Sequence, residues 1–162
     1  FYSTTPRDTG VQYTSDMKQA ARAIIIEDNK ILVMFRNNEG SQYFTLVGGK
    51  VDEQESPEQA LVREVREETG LQVTSAQLVF TEDHPEPYNK QYIYLCQVAP
   101  HGDIAIQDIA EEALLNKLSI NIHEPMWASL DSFPTLAFRT PQLQTAIIEG
   151  IQAGFPPVAQ EL

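Results

Sequence analysis

Two short aliphatic runs, residues 23–27 and 30–36, flank Asp28-Asn29. Apolar, β-branched stretches around a two-residue Asx turn predict a β-hairpin. A polar loop over 37–41 follows, then a short strand over 43–47, then a Gly48-Gly49 pair opening an acidic loop that runs to Glu55. The next segment is well punctuated. Ser56 suits an N-cap, Pro57 the first helical position, Gln59 closes a capping box and Gly70 supplies a left-handed stop. Leu61, Val62 and Val65 form the apolar arc of that helix.

Beyond it, residues 77–81 and 91–98 read as strands around a loop over 83–89. A helix is expected over 108–118 with Ile109, Ala113 and Leu114 in phase, and a strand over 118–123. A last helix starts at Thr140-Pro141, buries Leu143, Ile147 and Ile151, and ends near Gly154. Strands on both sides of one helix, followed by strands and a second helix, indicate an α/β fold layered as a sandwich around a mixed sheet. The expected partition is a polar arm over 1–19, one domain over 20–154 and an extended tail over 155–162.

Composition narrows the function. The chain has 162 residues, with 11 Lys+Arg against 23 Asp+Glu and a net charge of −12. Such a balance argues against non-specific nucleic-acid binding and suits a site that gathers divalent cations. No apolar run is long enough to span a bilayer, no secretory leader is apparent, and the single Cys96 fits a reducing cytoplasm. His84, His101 and His123 are scattered without cysteine partners, which argues against zinc.

The chemistry concentrates on the central helix. Glu64, Glu67 and Glu68 lie at i, i+3 and i+4 and share one face. Like charges so close repel, and a bound hard cation is one way to supply the missing positive charge; a solvated acidic face is the other. Oxygen-only ligands favour Mg2+, with Mn2+ as the other candidate, over zinc. Gly48 and Gly49 permit a close backbone approach, so the Gly48 carbonyl is a further metal-ligand candidate. Glu55 is placed to pair with Arg63, and Arg63, four residues before Glu67, is placed to orient that carboxylate.

Reading outward from these residues gives Gly49, five residues, Glu55, seven residues, then Arg63-Glu64-Val65-Arg66-Glu67-Glu68-Thr69-Gly70-Leu71. This segment resembles the Nudix box at all of its specified positions. The resemblance implies a Nudix-like α/β/α sandwich and a hydrolase of nucleoside diphosphate derivatives acting through metal-activated water. It further implies Gly48, Glu64, Glu67 and Glu68 as metal ligands, with Glu64, Arg63 and Glu67 in the catalytic group and Gly49, Glu55 and Gly70 shaping the motif. The general base is Glu64 or a later glutamate, with Glu111, Glu112 and Glu82 as candidates. For the substrate, a nucleoside triphosphate, ADP-ribose, a nucleotide sugar and a dinucleoside polyphosphate all remain open. Tyr88 and Pro87 stand where two different Nudix subclasses carry a marker, so neither discriminates. Lys50 is a phosphate-contact candidate, and Tyr88, Phe35 and Trp127 are stacking candidates. The rival reading is a nucleotide-sensing Nudix domain without turnover; a homodimer is also compatible with the sequence.

Overall fold

The computed structural model describes residues 18–83 and 89–162. Tyr88, Pro87 and His84, and nearly all of the N-terminal arm, lie outside the described residues. Among the described residues are eight strands and three helices: β1 (Gln19–Glu27), β2 (Lys30–Asn38), β3 (Ser41–Thr45), β4 (Val47–Lys50), α1 (Pro57–Thr69), β5 (Val73–Asp83), β6 (Lys90–Val98), α2 (Glu111–Lys117), β7 (Asn121–Ser129), α3 (Pro141–Ala153) and β8 (Gln160–Glu161).

The β1–β2 hairpin forms as the sequence predicts. Asp28 and Asn29 both adopt positive φ, 49° and 64°, the combination that a tight two-residue hairpin demands. The two strands pair only at their hairpin ends, Ile26 with Ile31 and Glu27 with Lys30. They then part company. Residues 41–50 fill both vacated edges: β3 pairs with β2 from Met34 to Asn38, and β4 pairs with β1 from Ala20 to Ala23. On its other edge β1 runs parallel to β6, and β2 runs antiparallel to β7 along its full length. The resulting mixed sheet parts between β1 and β2 at the end away from the turn.

Alternation along β1 divides the core into two layers. Ala21, Ala23 and Ile25 pack with Leu32, Met34 and Val47 under Ala60, Leu61 and Val65 of α1. Ile24 points the other way and packs with Val33, Ile93, Phe133 and Phe138 under Leu143, Ala146 and Ile147 of α3. Each fully buried aliphatic side chain contributes roughly 1.5–3 kcal/mol, so both helices are held by their apolar faces. The α/β/α sandwich expected from the sequence is present.

Several local expectations need correcting. The glycine pair is strand, not loop: Gly48 and Gly49 lie in β4 opposite Arg22 and Ala21. Gly48 has φ +144°, and a β-carbon there would sit 2.0 Å from the Ala21 carbonyl oxygen, so only glycine allows this pairing. Val62 is on the outer face of α1 and 40% exposed, so the buried arc is Ala60, Leu61 and Val65. The helix expected over 108–118 shrinks to α2, which buries no residue; Ile109 and Leu114 are exposed rather than packed. The strand expected over 118–123 starts only at Asn121 and continues to Ser129. Ile151 is half-buried. The C-terminal residues add β8 alongside β5, with Phe155 6.2 Å from Phe80. No helix among the described residues is long and apolar enough to cross a membrane.

Candidate active site

Helix α1 begins and ends as its sequence dictates. Ser56 Oγ accepts from the Gln59 backbone N–H, Gln59 Oε1 accepts from the Ser56 N–H, and Gly70 closes the helix at φ 82°. With the ends fixed, Glu64 and Glu68 fall on the same face as Leu61 and Val65 and are carried into the core boundary, 8% and 4% exposed. A third carboxylate meets them there. One oxygen each from Glu64, Glu68 and Glu112 lies within 4.8 Å of the other two.

Glu112 comes from α2, which packs against β7 without burying any residue of its own. Asn116 secures it by accepting from the His123 N–H at 2.7 Å and donating to the His123 carbonyl at 2.8 Å. Glu112 Oε1 is buried and has no hydrogen-bond partner. A buried, orphaned carboxylate oxygen is costly unless something positive faces it.

The electrostatics say the same. Burial, with the nearby Glu112 and Glu67 charges adding to it against Arg63, pushes Glu64 up to about 7. Burial, with Glu112 and Glu64 adding to it, raises Glu68 well above the usual carboxylate range. Burial raises Glu112 as well, reinforced by Glu111 and Glu67. Three desolvated carboxylates with too little compensating charge, offering oxygen donors only, fit a hard divalent cation.

Arg63 braces the group from outside. Its Nε and Nη2 donate to the two oxygens of Glu55 at 2.8 and 3.0 Å, and Nη2 also reaches the Lys50 carbonyl at 3.0 Å. Its Nη1 donates to Glu64 at 2.9 Å and to Glu67 at 3.3 Å. The hydrogen bonds from Arg63 hold Glu55 below the usual carboxylate range and raise Arg63 itself. Glu55 therefore locks the loop before α1 onto the guanidinium that orients Glu64. Glu67 stands on the Arg63 side of the helix rather than with the converging oxygens.

The remaining sequence candidates separate. The Gly48 N–H donates to Glu68 at 2.8 Å, while the Gly48 carbonyl accepts from Arg22 Nη1 at 2.9 Å. Gly49 faces the Glu64 carboxyl. Lys50 ends β4 with its side chain exposed. Glu111 is exposed, and buried Glu82 accepts from Gln91 at 3.4 Å on β5, so of the later glutamates only Glu112 joins the group. Phe35 alternates to the side of β2 opposite Met34 and packs against Phe44 at 5.4 Å, away from α1. Trp127 is half-buried opposite Leu32, near the hairpin end, with His101 stacked on it at 6.0 Å.

A basic and aromatic row not singled out in the sequence lies on the same face of the sheet as α1. Tyr43, Arg36 and His123 are direct register partners on three neighbouring strands, so they share the α1 face of the sheet. The guanidinium carbons of Arg36 and Arg139 lie 5.6 and 5.4 Å from the Tyr43 ring centre. Arg36 Nε is buried without a partner, and burial lowers the arginine's pKa. Burial, aided by the Arg36 charge, holds His123 down near 4, so it is neutral here. No local sequence signal marks this row; only strand register assembles it.

Comparison with known proteins agrees with this geometry. The family model described as NUDIX domain matches residues 17–145. The chain is 43% identical over 65 residues to a CTP pyrophosphohydrolase of Escherichia coli, covering 39% of this chain and 48% of that protein. It is 37% identical over 99 residues to an ADP-ribose pyrophosphatase of Methanocaldococcus jannaschii, covering 58% of each. It thus spans roughly half the length of these curated relatives. The crystal structure of a MutT NUDIX hydrolase from Burkholderia pseudomallei superimposes with TM-score 0.59 at 26% identity, over 78% of this chain and 94% of that one.

Proposed function

The chain belongs to the NUDIX domain family, and from that premise we propose that it hydrolyses the pyrophosphate bond of a nucleoside diphosphate derivative with Mg2+, or Mn2+, as cofactor. The observation that carries this reading is the convergence of Glu64, Glu68 and Glu112, with one buried oxygen left without a partner. The similarity to proteins named as a CTP pyrophosphohydrolase and an ADP-ribose pyrophosphatase supports the reaction class and leaves the nucleotide open.

Glu64, Glu68 and Glu112 would hold the cation. When bound, a hard divalent cation there neutralises charge on the diphosphate and makes water a stronger acid. Glu64 takes the proton from the attacking water, and Arg63 keeps its carboxylate aimed by donating to one oxygen at 2.9 Å. Glu55 holds Arg63 in place, so this pair positions the reacting groups without touching them. Arg36 and Arg139, both held over the Tyr43 ring, offer guanidinium donors to an anionic substrate. A nucleotide substrate and a single, buried thiol, Cys96, fit a reducing cytoplasm.

The test is a panel of nucleoside triphosphates, ADP-ribose, nucleotide sugars and dinucleoside polyphosphates, with Mg2+ or Mn2+ and product masses determined. Release of a nucleoside monophosphate from at least one member, lost by orders of magnitude in Glu68→Gln, is expected. Tight nucleotide binding with no cleavage of any member would replace the hydrolase with a sensor.

A further inference from the structure

Seven large hydrophobic side chains stand exposed among the described residues, and five of them fall within residues 109–122: Ile109, Leu114, Leu118, Ile120 and Ile122. Surface hydrophobics scattered singly need no explanation, but a group of this kind marks a contact surface. Helix α2 lies at its centre. At about 100° per residue, Glu111, Leu114, Lys117 and Leu118 occupy one arc of the helix and Glu112, Ala113, Leu115 and Asn116 the opposite one. Burial follows the same division: the first four are exposed and the second four half-buried. The inner arc faces β7 and the carboxylate group. The outer arc is centred on Leu114, and Leu114 and Leu118 are 58% and 57% exposed. Ile109 and Leu114 hold the N′ and N4 positions of α2, which lie on one side of a helix start. An apolar strip therefore runs from Ile109, 80% exposed, through Leu114 to Leu118.

The charges beside the strip select its partner. Glu111 and Lys117 flank Leu114, three residues to either side. Neither makes an ion pair among the described residues. A second α2 laid antiparallel, with the two-fold axis at Leu114, brings Lys117 of each copy level with Glu111 of the other. A parallel copy would set like charges level instead. The antiparallel arrangement also brings Leu118 of each copy level with Ala110 of the other, next to Ile109. There Ile109 and Val62 border a cavity of about 790 Å3, with room for an apolar side chain. The strip is complementary to itself in charge, and each copy offers the other a leucine beside an apolar recess.

We infer that this strip is the contact surface of a two-fold symmetric homodimer with antiparallel α2 helices, and that the contact braces the helix that carries Glu112. Leu114 and Leu118 point away from Glu112, so the second copy supports α2 from behind without touching the carboxylate group. A helix of seven residues is too short to hold its shape unaided. Its inner arc is fixed to β7 mainly by the Asn116 clasp. Dimerisation and cation binding are then linked, because each favours the same placement of α2. The dimer is independent of the hydrolase reading, whereas its link to the cation rests on the carboxylate group as the seat.

The experiment is analytical ultracentrifugation of the full chain in chelator, which should show a monomer–dimer equilibrium with a dissociation constant on the order of micromolar. Leu114→Glu should weaken the dimer at least tenfold. Glu111→Lys and Lys117→Glu should each weaken it about threefold or more. The double variant Glu111→Lys/Lys117→Glu leaves every apolar side chain in place and should return to within about twofold of the wild type. The altered side chains are exposed, so thermal melts of dilute variants should match dilute wild type. In parallel, Mn2+ titrations followed by electron paramagnetic resonance should give at least threefold tighter binding above the dimer dissociation constant than below it, and no such dependence in Leu114→Glu. A chain that stays monomeric, a dimer indifferent to Leu114→Glu, or a double variant no better than either single one overturns the dimer. Mn2+ affinity that ignores protein concentration in a dimerising wild type overturns the brace. Absence of Mn2+ binding would refute the cation seat alone, because the ultracentrifugation contains no metal.

Discussion

A β-carbon on Gly49 would lie 2.7 Å from Cδ of Glu64 and 2.8 Å from both of its carboxylate oxygens. Glu64 thus occupies the space that any other residue at position 49 would fill. Gly48, its neighbour, is glycine for a different reason, because the Ala21 carbonyl of the adjoining strand leaves no room beside it. One glycine makes room for a functional group and the other allows a strand to pair.

Gly49→Ala and Gly48→Ala should therefore fail differently. Gly49→Ala must push the Glu64 carboxyl aside, so turnover should fall at least tenfold while the melting temperature drops by only a few degrees. Gly48→Ala strains both the backbone and the β1–β4 pairing, so it should lose folded protein first. Circular dichroism melts beside turnover separate the two, and equal melts with equal activities would contradict this division of roles.

The second prediction concerns pH. Burial pushes Glu64 up to about 7 in the metal-free protein, whereas in the unfolded chain it titrates near 4.3. Between those values the folded state retains a proton that the unfolded chain has released, so this residue's contribution to stability is lost as pH rises through that window. Glu64→Gln has no proton to lose. Its stability relative to the wild type, in chelator, should rise from pH 5 to pH 8 by up to roughly 3 kcal/mol. Comparing the two proteins cancels His123, whose burial shifts stability in the opposite direction over an overlapping range. A difference that stays flat with pH would show that Glu64 is not desolvated.

Glu112→Gln should separate cation binding from folding. The helix that carries it buries nothing, so the metal-free melting temperature should stay within a degree or two of the wild type. Mn2+ affinity, read by calorimetry or electron paramagnetic resonance, should weaken at least tenfold. The thermal stabilisation by saturating Mg2+ should shrink in step. Unchanged Mn2+ affinity would remove Glu112 from the ligand set.

Arg63→Lys tests the brace. A lysine has one point charge and cannot grip both oxygens of Glu55 while also reaching Glu64 and Glu67. The expected outcome is a melt lowered by a few degrees and kcat lowered about tenfold or more, with KM changed much less. Glu55→Gln should reproduce part of the kcat loss through Arg63, although Glu55 itself is remote from the converging oxygens. A Glu55→Gln enzyme with wild-type kcat would show that the brace is structural only.

How much could be read from the chain alone follows from how local each determinant is. Ser56, Pro57, Gln59 and Gly70 specify α1 within fifteen consecutive residues, and so the phase of Glu64 and Glu68 came with it. Asp28-Asn29 likewise specified its own turn. Gly48 and Gly49 read as a loop because glycine lacks strand propensity; the carbonyl of Ala21 and the carboxyl of Glu64, which make glycine necessary, are neighbours only after folding. Ile109 and Leu114 kept helical phase, but phase does not reveal whether anything covers a face. The row Tyr43–Arg36–His123 draws on positions as far apart as 36 and 123 and exists only through register. From the sequence alone Glu112 is one base candidate among several, because nothing local ties α2 to α1.

The helix that delivers Glu112 is clasped mainly by the Asn116 side chain and buries none of its own residues. Selection can rewrite such a segment without first repairing a core. A scaffold of this kind tolerates new residues around a retained Glu112, and those residues form the rim that a bound molecule must pass. Diversification would then proceed by changing the neighbours of a fixed Glu112, not by rebuilding the two packed layers.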